Sequence, residues 1–189
     1  MDSILRRRPH AIAGSYRRKT NKVLAEFTAG VDGVRIPEQI IMSIPFADRD
    51  LTKQAPNSPR KRLAGFAIAS RTIDKCRASV AGTLGQYHYD CPLDNSLFSF
   101  KGITAEQFKS AVGAAKDYDE MGIWLHASGT LKTADEIKSW SDEAEASSLN
   151  KDPNKRDYFI ENCHKLGLNP QTNSTFDWLE ADDRESFRR

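Results

Sequence analysis

The sequence predicts an all-α fold, a compact bundle of five or six helices with mixed crossing angles, on three observations. Apolar residues recur at spacings of three, four and seven, helix-start signals recur along the chain, and strand signals are nearly absent. At 189 residues the chain is long enough to bury a core without disulfides or metal.

Residues 1–45 read as a poorly ordered basic N-terminal extension. Arg6, Arg7, Arg8, Arg17, Arg18, Lys19, Lys22 and Arg35 stand against Asp2, Glu26, Asp32 and Glu38, and apolar residues hold no period for long. An Arg-rich leader also fits an organelle transit peptide, but Asp2, Glu26 and the lack of a clear amphipathic face count against that. Met42 is an alternative start, so the extension either belongs to the protein or precedes its true beginning. Residues 46–185 read as a single helical domain and 186–189 as a tail.

Within the domain, Ser58 is a favoured N-cap and Pro59 follows at the first helical position, where its missing N–H costs nothing. Leu63, Phe66, Ile73, Cys76, Val80 and Leu84 then keep one apolar face, so a long helix is predicted from about Pro59 to Val80, with Gly82 and Gly85 at its exit. Thr104 with Gln107 and Thr133 with Glu136 match the capping box, and Asp117 with Glu120 is its aspartate form. Asp152 precedes Pro153 as a further start, and Gly129 and Gly167 fall where helices end. SLFSFKG, residues 96–102, breaks strand alternation and reads as a short helix or an extended connection. The predicted core is Leu63, Phe66, Ile73, Val80, Phe108, Val112, Ile123, Trp124, Ile137, Trp140, Phe159 and Ile160. No repeat pattern is shared between the helices, which excludes a solenoid.

The charge balance, 28 basic against 26 acidic side chains for a net +2, does not announce a nucleic-acid or anionic-lipid partner. Three cysteines, Cys76, Cys91 and Cys163, cannot all pair within the chain, and no secretory signal precedes them. Reduced thiols and a cytoplasmic location follow. No run approaches the ~20 apolar residues of a membrane-spanning helix, so no membrane partner is expected.

Chemistry-bearing residues concentrate between Ser70 and Asp94. Arg71, Asp74 and Lys75 stand at helical spacing, with Arg77 three residues beyond Asp74. Such pairs support a solvated helix by roughly 0.2–0.5 kcal/mol each, which is the plain interpretation. The functional one gives Arg71, Lys75 and Arg77 an anion to hold, with Asp74 orienting a guanidinium. GTLGQYH, residues 82–88, is glycine-rich but follows a helix, whereas phosphate loops precede one; it reads as a C-cap and turn. His88 and Cys91 have a spacing that lets two ligands share a metal, yet Cys76, Cys163 and His164 supply no second paired motif, so no metal site is predicted. No cofactor motif is present. Cys91 with His88 or His126 as base is the nucleophile alternative, with Asp90 or Asp94 orienting. Trp124, Trp140 and Trp178 read as core residues before they read as a pocket.

The segments SPRKRLAGF, RTIDKCRASVAGTLGQYHYDCPLD, FKGI and FDWLEADD, with Asp119 and Trp124, resemble a small bacterial family, domain-of-unknown-function family 5069, from about Asp50 to Asp183. Its most specific part is the helix bearing Arg71, Asp74, Lys75 and Arg77, followed by Gly82, Gly85, Tyr87, His88, Cys91 and Asp94. The resemblance implies a compact domain centred on this segment and no particular activity or cofactor. The expectation is a non-enzymatic binding or regulatory module in which Arg71, Asp74, Lys75, Arg77, Tyr87 and His88 hold a small anionic ligand or an acidic partner surface. A small enzyme using Cys91 and His88 is the alternative. Nucleic-acid binding through the N-terminal arginines with Arg60, Lys61 and Arg62 is the second, with salt-sensitive affinity as its signature.

Overall fold

A computed structural model describes residues 45–188 of the chain. The extension expected at residues 1–45, with its arginine clusters and the alternative start at Met42, therefore lies outside the described residues, save residue 45. Seven α-helices appear among them, in place of five or six: α1 Ala69–Ala81, α2 Pro92–Lys101, α3 Ala105–Ala114, α4 Tyr118–Ala127, α5 Ala134–Ala146, α6 Arg156–Lys165 and α7 Thr175–Ser186. A 3₁₀ turn, Leu149–Lys151, precedes α6. The described residues contain no strand, only isolated bridges between Pro45 and Asp117 and between Leu63 and Phe66. The extra elements arise because SLFSFKG belongs to a full helix, α2, and the connections that follow it are short.

The long first helix begins ten residues later than its apolar spacing suggested. Ser58 accepts a hydrogen bond from the Arg60 amide at 3.1 Å, which closes a local turn. Leu63 and Phe66 then exchange backbone hydrogen bonds at 2.9 and 3.0 Å around Ala64 and Gly65, both with positive φ. Two arginines of this stretch reach acids far along the chain, Arg60 to Asp177 and Glu180 and Arg62 to Asp142 and Glu145. Gly65 supplies a turn that a helix cannot contain, and these long-range pairs hold it. Helix α1 starts after Ile68, itself at φ 58, and ends on Gly82 at φ 70.

Helix α1 is buried on nearly every side: nine of its thirteen residues are inaccessible. It packs on α2 and α3, while α4 packs on α3 and α5 on α7. Phe66, Ile73, Leu97, Phe98, Phe108, Val112, Met121, Leu125, Ile137 and Phe176 form one continuous core around it. Leu63, Trp124 and Trp140 pack against that core while partly buried, and Phe159 is buried near Trp178. Val80 and Ile123, expected inside, are 68% and 47% exposed. Val80 falls in the last turn of α1, where the apolar face outruns the elements that cover it. The predicted caps at Thr104, Asp117 and Thr133 are formed, each side chain accepting the amide three residues on. Ser174 does the same for α7. At the remaining start, Asp152–Pro153 is followed by a turn, and α6 begins only after Lys155.

Candidate functional site

The buried polar residues of α1 reach three different partners, and their charges are not paired along the helix. Arg71, 3% exposed, donates from Nη1 to Asp183 Oδ2 at 2.6 Å and from Nη2 to Oδ1 at 3.1 Å, a two-pronged pair with the C-terminal helix. Nη1 also reaches the Asn57 carbonyl at 3.3 Å. Tyr87 donates to the same Asp183 Oδ1 at 2.7 Å, and its ring centre lies 5.5 Å from the Arg71 guanidinium. Burial, then the neighbouring Asp183 carboxylate, push the Tyr87 phenol up from its ordinary value.

Asp74, 1% exposed, accepts from the Asn57 amide at 2.7 Å and from the Tyr118 hydroxyl. Arg49 Nε lies 3.2 Å from Asp74 Oδ2, an ion pair at an angle too poor for a hydrogen bond. Burial pushes the Asp74 carboxyl up against the opposing pull of these donors and of Arg49. Lys75, 4% exposed, spreads its ammonium over Asp94 at 2.8 Å, the His88 carbonyl at 3.1 Å and Cys91 Sγ at 3.2 Å. Asp94 in turn accepts from Thr72 Oγ1 at 2.8 Å and from the Cys91 amide at 3.3 Å.

Arg77 differs from its neighbours. Its guanidinium lies over the Phe46 ring, 4.6 Å from the centroid, and its nearest acid is Asp48 at 3.9 Å, whose side chain is fully exposed. Arg77 Nε is buried with no hydrogen-bond acceptor among the described residues. The residue faces a cleft of about 430 Å³ that Arg49, Lys109, Asp48, Asp50, Cys76, Val80 and Val112 also line. Among the described residues Lys109 makes no ion pair, while Asp50 is engaged by Lys53 and Thr52, whose hydrogen bonds lower its pKa to about 2.

Of the predicted residues, then, Arg71 and Tyr87 meet at Asp183, Lys75 meets Cys91, Asp74 turns to Arg49 and Tyr118, and Arg77 stands apart at the cleft. The His88 side chain is exposed, and its carbonyl serves Lys75. No hydrogen bond joins His88 or His126 to Cys91 among the described residues; His126 instead meets the Ala64 carbonyl at 3.1 Å. Asp90, exposed at φ 62, accepts from Asn95, and Asp94 is committed to Lys75. Among the described residues no group of three or more His, Cys, Asp or Glu side chains is placed to hold a metal ion. None of their helices is long and apolar enough to cross a membrane. Sequence reasoning missed Arg49, Asn57, Lys109, Tyr118 and Asp183. Arg49 and Asn57 sit in the polar stretch before Ser58, Tyr118 lies inside the Asp117–Glu120 capping motif and Asp183 ends the FDWLEADD segment, but none of these signals points to the partner each residue takes; Lys109 carries no signal at all.

Fold and site together define an all-α domain organised around a buried, charge-bearing helix. The family model described as Domain of unknown function (DUF5069) matches residues 53–185, and the chain belongs to that family. No curated protein matches the sequence.

Proposed function

We propose that the domain is a non-enzymatic binding module for a small anionic ligand, received in the cleft beside Arg77 and Lys109. The observation that carries this is Arg77: a guanidinium over the Phe46 ring, with a buried Nε and, among the described residues, only a distant, exposed acid for a partner. A planar fork with free donors is suited to a carboxylate or phosphate. Lys109 adds a second cation, and Arg49 a third that is already partly committed to Asp74. Asp48 is exposed and free to swing away. Arg71 and Lys75 have a different task, since an anion would have to displace buried Asp183 or Asp94 to reach them. They hold α1 in the register that presents Arg77. A cleft, rather than a flat basic face, favours a small ligand over an acidic partner surface.

Among the described residues neither alternative activity has a comparable contact in its favour. Among these residues no histidine is hydrogen-bonded to Cys91, and Arg60 and Arg62 are committed to four carboxylates. The test is thermal unfolding of the full chain with inorganic phosphate, pyrophosphate and citrate. A ligand at a hundred times its Kd raises stability by about 2.7 kcal/mol. Arg77→Ala, with unchanged helical ellipticity, should weaken binding by roughly tenfold to a hundredfold, the worth of one charge-assisted hydrogen-bonding group. Equal stabilisation of wild type, Arg77→Ala and Lys109→Ala would sink the assignment.

A further inference from the structure

A second feature of α1 lies outside the cleft, where the Lys75 amine and the Cys91 sulfur stand 3.2 Å apart. Lys75 is almost inaccessible and its three N–H bonds have three acceptors, Asp94, the His88 carbonyl and Cys91 Sγ, so the amine has no freedom to leave the sulfur. Cys91 is itself fixed, as the residue that opens α2, and it is the partly exposed thiol of the three. Cys76 and Cys163 are buried, and burial pushes the Cys76 thiol up to about 11 and raises that of Cys163 as well. Oxidants therefore meet Cys91 first, with an amine already positioned beside it.

We propose that Cys91 and Lys75 form a peroxide-responsive covalent switch, in which oxidation of the thiol is followed by closure of an Sγ–Nζ bond. In the first step the sulfur attacks hydrogen peroxide, the O–O bond breaks, and Cys91 becomes a sulfenic acid with release of one water. In the second the Lys75 ammonium passes a proton to Asp94, the amine attacks sulfur, and the S–OH bond breaks. The hydroxyl leaves as water with the second amine proton. The sum is one thiol, one ammonium and one peroxide giving one sulfenamide, two waters and one proton. Sulfur is oxidised by two electrons and peroxide is reduced by two.

Asp94 makes the closure feasible inside the fold. Bond formation removes the one cation paired with this carboxylate among the described residues, and the carboxylate is 1% exposed; an unpaired buried anion is costly. The released proton falls on that same carboxylate, so no orphan charge is left. Thiol reductants cleave the S–N bond and restore the ion pair. The switch would thus exchange an electrostatic tie between α1 and α2 for a covalent one, reversibly.

The test is peptide mapping of the full chain after graded hydrogen peroxide treatment. The expected result is an intact mass lower by two hydrogens, a digest peptide joining Lys75 to Cys91, and loss of both on adding dithiothreitol. Dimedone present during oxidation should divert Cys91 to its sulfenic-acid adduct and abolish the joined peptide. Lys75→Arg keeps a cation opposite Asp94, so it should send Cys91 on to sulfinic acid with no link; Cys91→Ser should form none. Oxidation of wild-type Cys91 to sulfinic or sulfonic acid without the joined peptide would overturn the proposal, whatever the variants do. A joined peptide that retains an extra oxygen would overturn the S–N bond as written.

Discussion

Arg71 bears a full charge in a place where water cannot reach it, and its neighbours must replace that water. Desolvating an ion costs several kcal/mol even after relaxation, and attraction repays this only with good geometry and satisfied hydrogen bonds. Both carboxylate oxygens of Asp183, the Asn57 carbonyl and the Tyr87 ring provide them. Arg71→Met should therefore destabilise by about 3–5 kcal/mol, because it strands Asp183. The double replacement Arg71→Met with Asp183→Leu should recover most of that loss, as urea denaturation of the four-member cycle would measure. A single-variant cost below about 1 kcal/mol, the level of a surface pair, would mean the site is wetter than described. Much of this site was legible as residue types and little of it as pairings. Arg71, Asp74, Lys75 and Arg77 stand out at helical spacing, but spacing alone directs them to one another. Asp183 lies 112 residues from Arg71, and nothing local ties them. Lys109 likewise carries no motif; only the packing of α3 on α1 brings it near Arg77.

Elements were legible where their ends are written in local hydrogen bonds and obscure where distant partners override them. Thr104, Asp117 and Thr133 cap as their spacing predicts, since the partner amide is three residues away. Ser58 and Pro59 offer an equally good start, yet the chain turns there because Ser58 and Arg60 are drawn to Glu180 and Asp177 of α7. Glycines show the same division. Gly129 ends the α4 region at φ 58, where a Cβ would lie 2.0 Å from the Lys101 carbonyl oxygen, so the turn cannot accept a side chain without moving backbone. Gly113, inside α3, has nothing within 4 Å of an added Cβ and no unusual φ. Gly113→Ala should raise stability by roughly 0.5–1 kcal/mol through the helix propensity of alanine. Gly129→Ala should lower it by several times as much, combining a left-handed φ with a backbone clash, and thermal unfolding of the pair measures both signs. Equal effects at the two positions would contradict the turn geometry.

At the scale of the molecule, α7 acts as an acidic clasp, taking Arg60 on Asp177 and Glu180 and Arg71 on Asp183, while Arg62 ties the same early segment to α5. The early turn is thus joined to α7 by the charges of Arg60, the connection after α1 is joined to α7 by the Tyr87 phenol, and Tyr118 holds Asp74 within the core. These phenols make alkali the sharpest test of the whole assembly. Three of the five tyrosines, Tyr87, Tyr89 and Tyr118, have phenols raised above the ordinary 10.0, in each case first by burial. Below pH 10 both folded and unfolded chains keep these protons, so the stability is intact. Above it the unfolded chain releases them while the folded chain retains them, and stability falls with rising pH, by about 1.4 kcal/mol per pH unit for one such phenol as buried as Tyr118. Lys101 works the other way: burial lowers its amine below 10.5, which raises stability with pH, but only until the unfolded lysine has also lost its proton near 10.5. The tyrosines therefore dominate beyond that point. Helical ellipticity and phenolate absorbance followed together should change in one cooperative step above about pH 10, because Asp183 and Asp74 lose their hydroxyl donors only when α7 and α4 part from α1. Phenolate appearing at these three tyrosines well before helix is lost would show that the polar ties of α1 open independently of the fold, and that its buried charges are not what holds the molecule together.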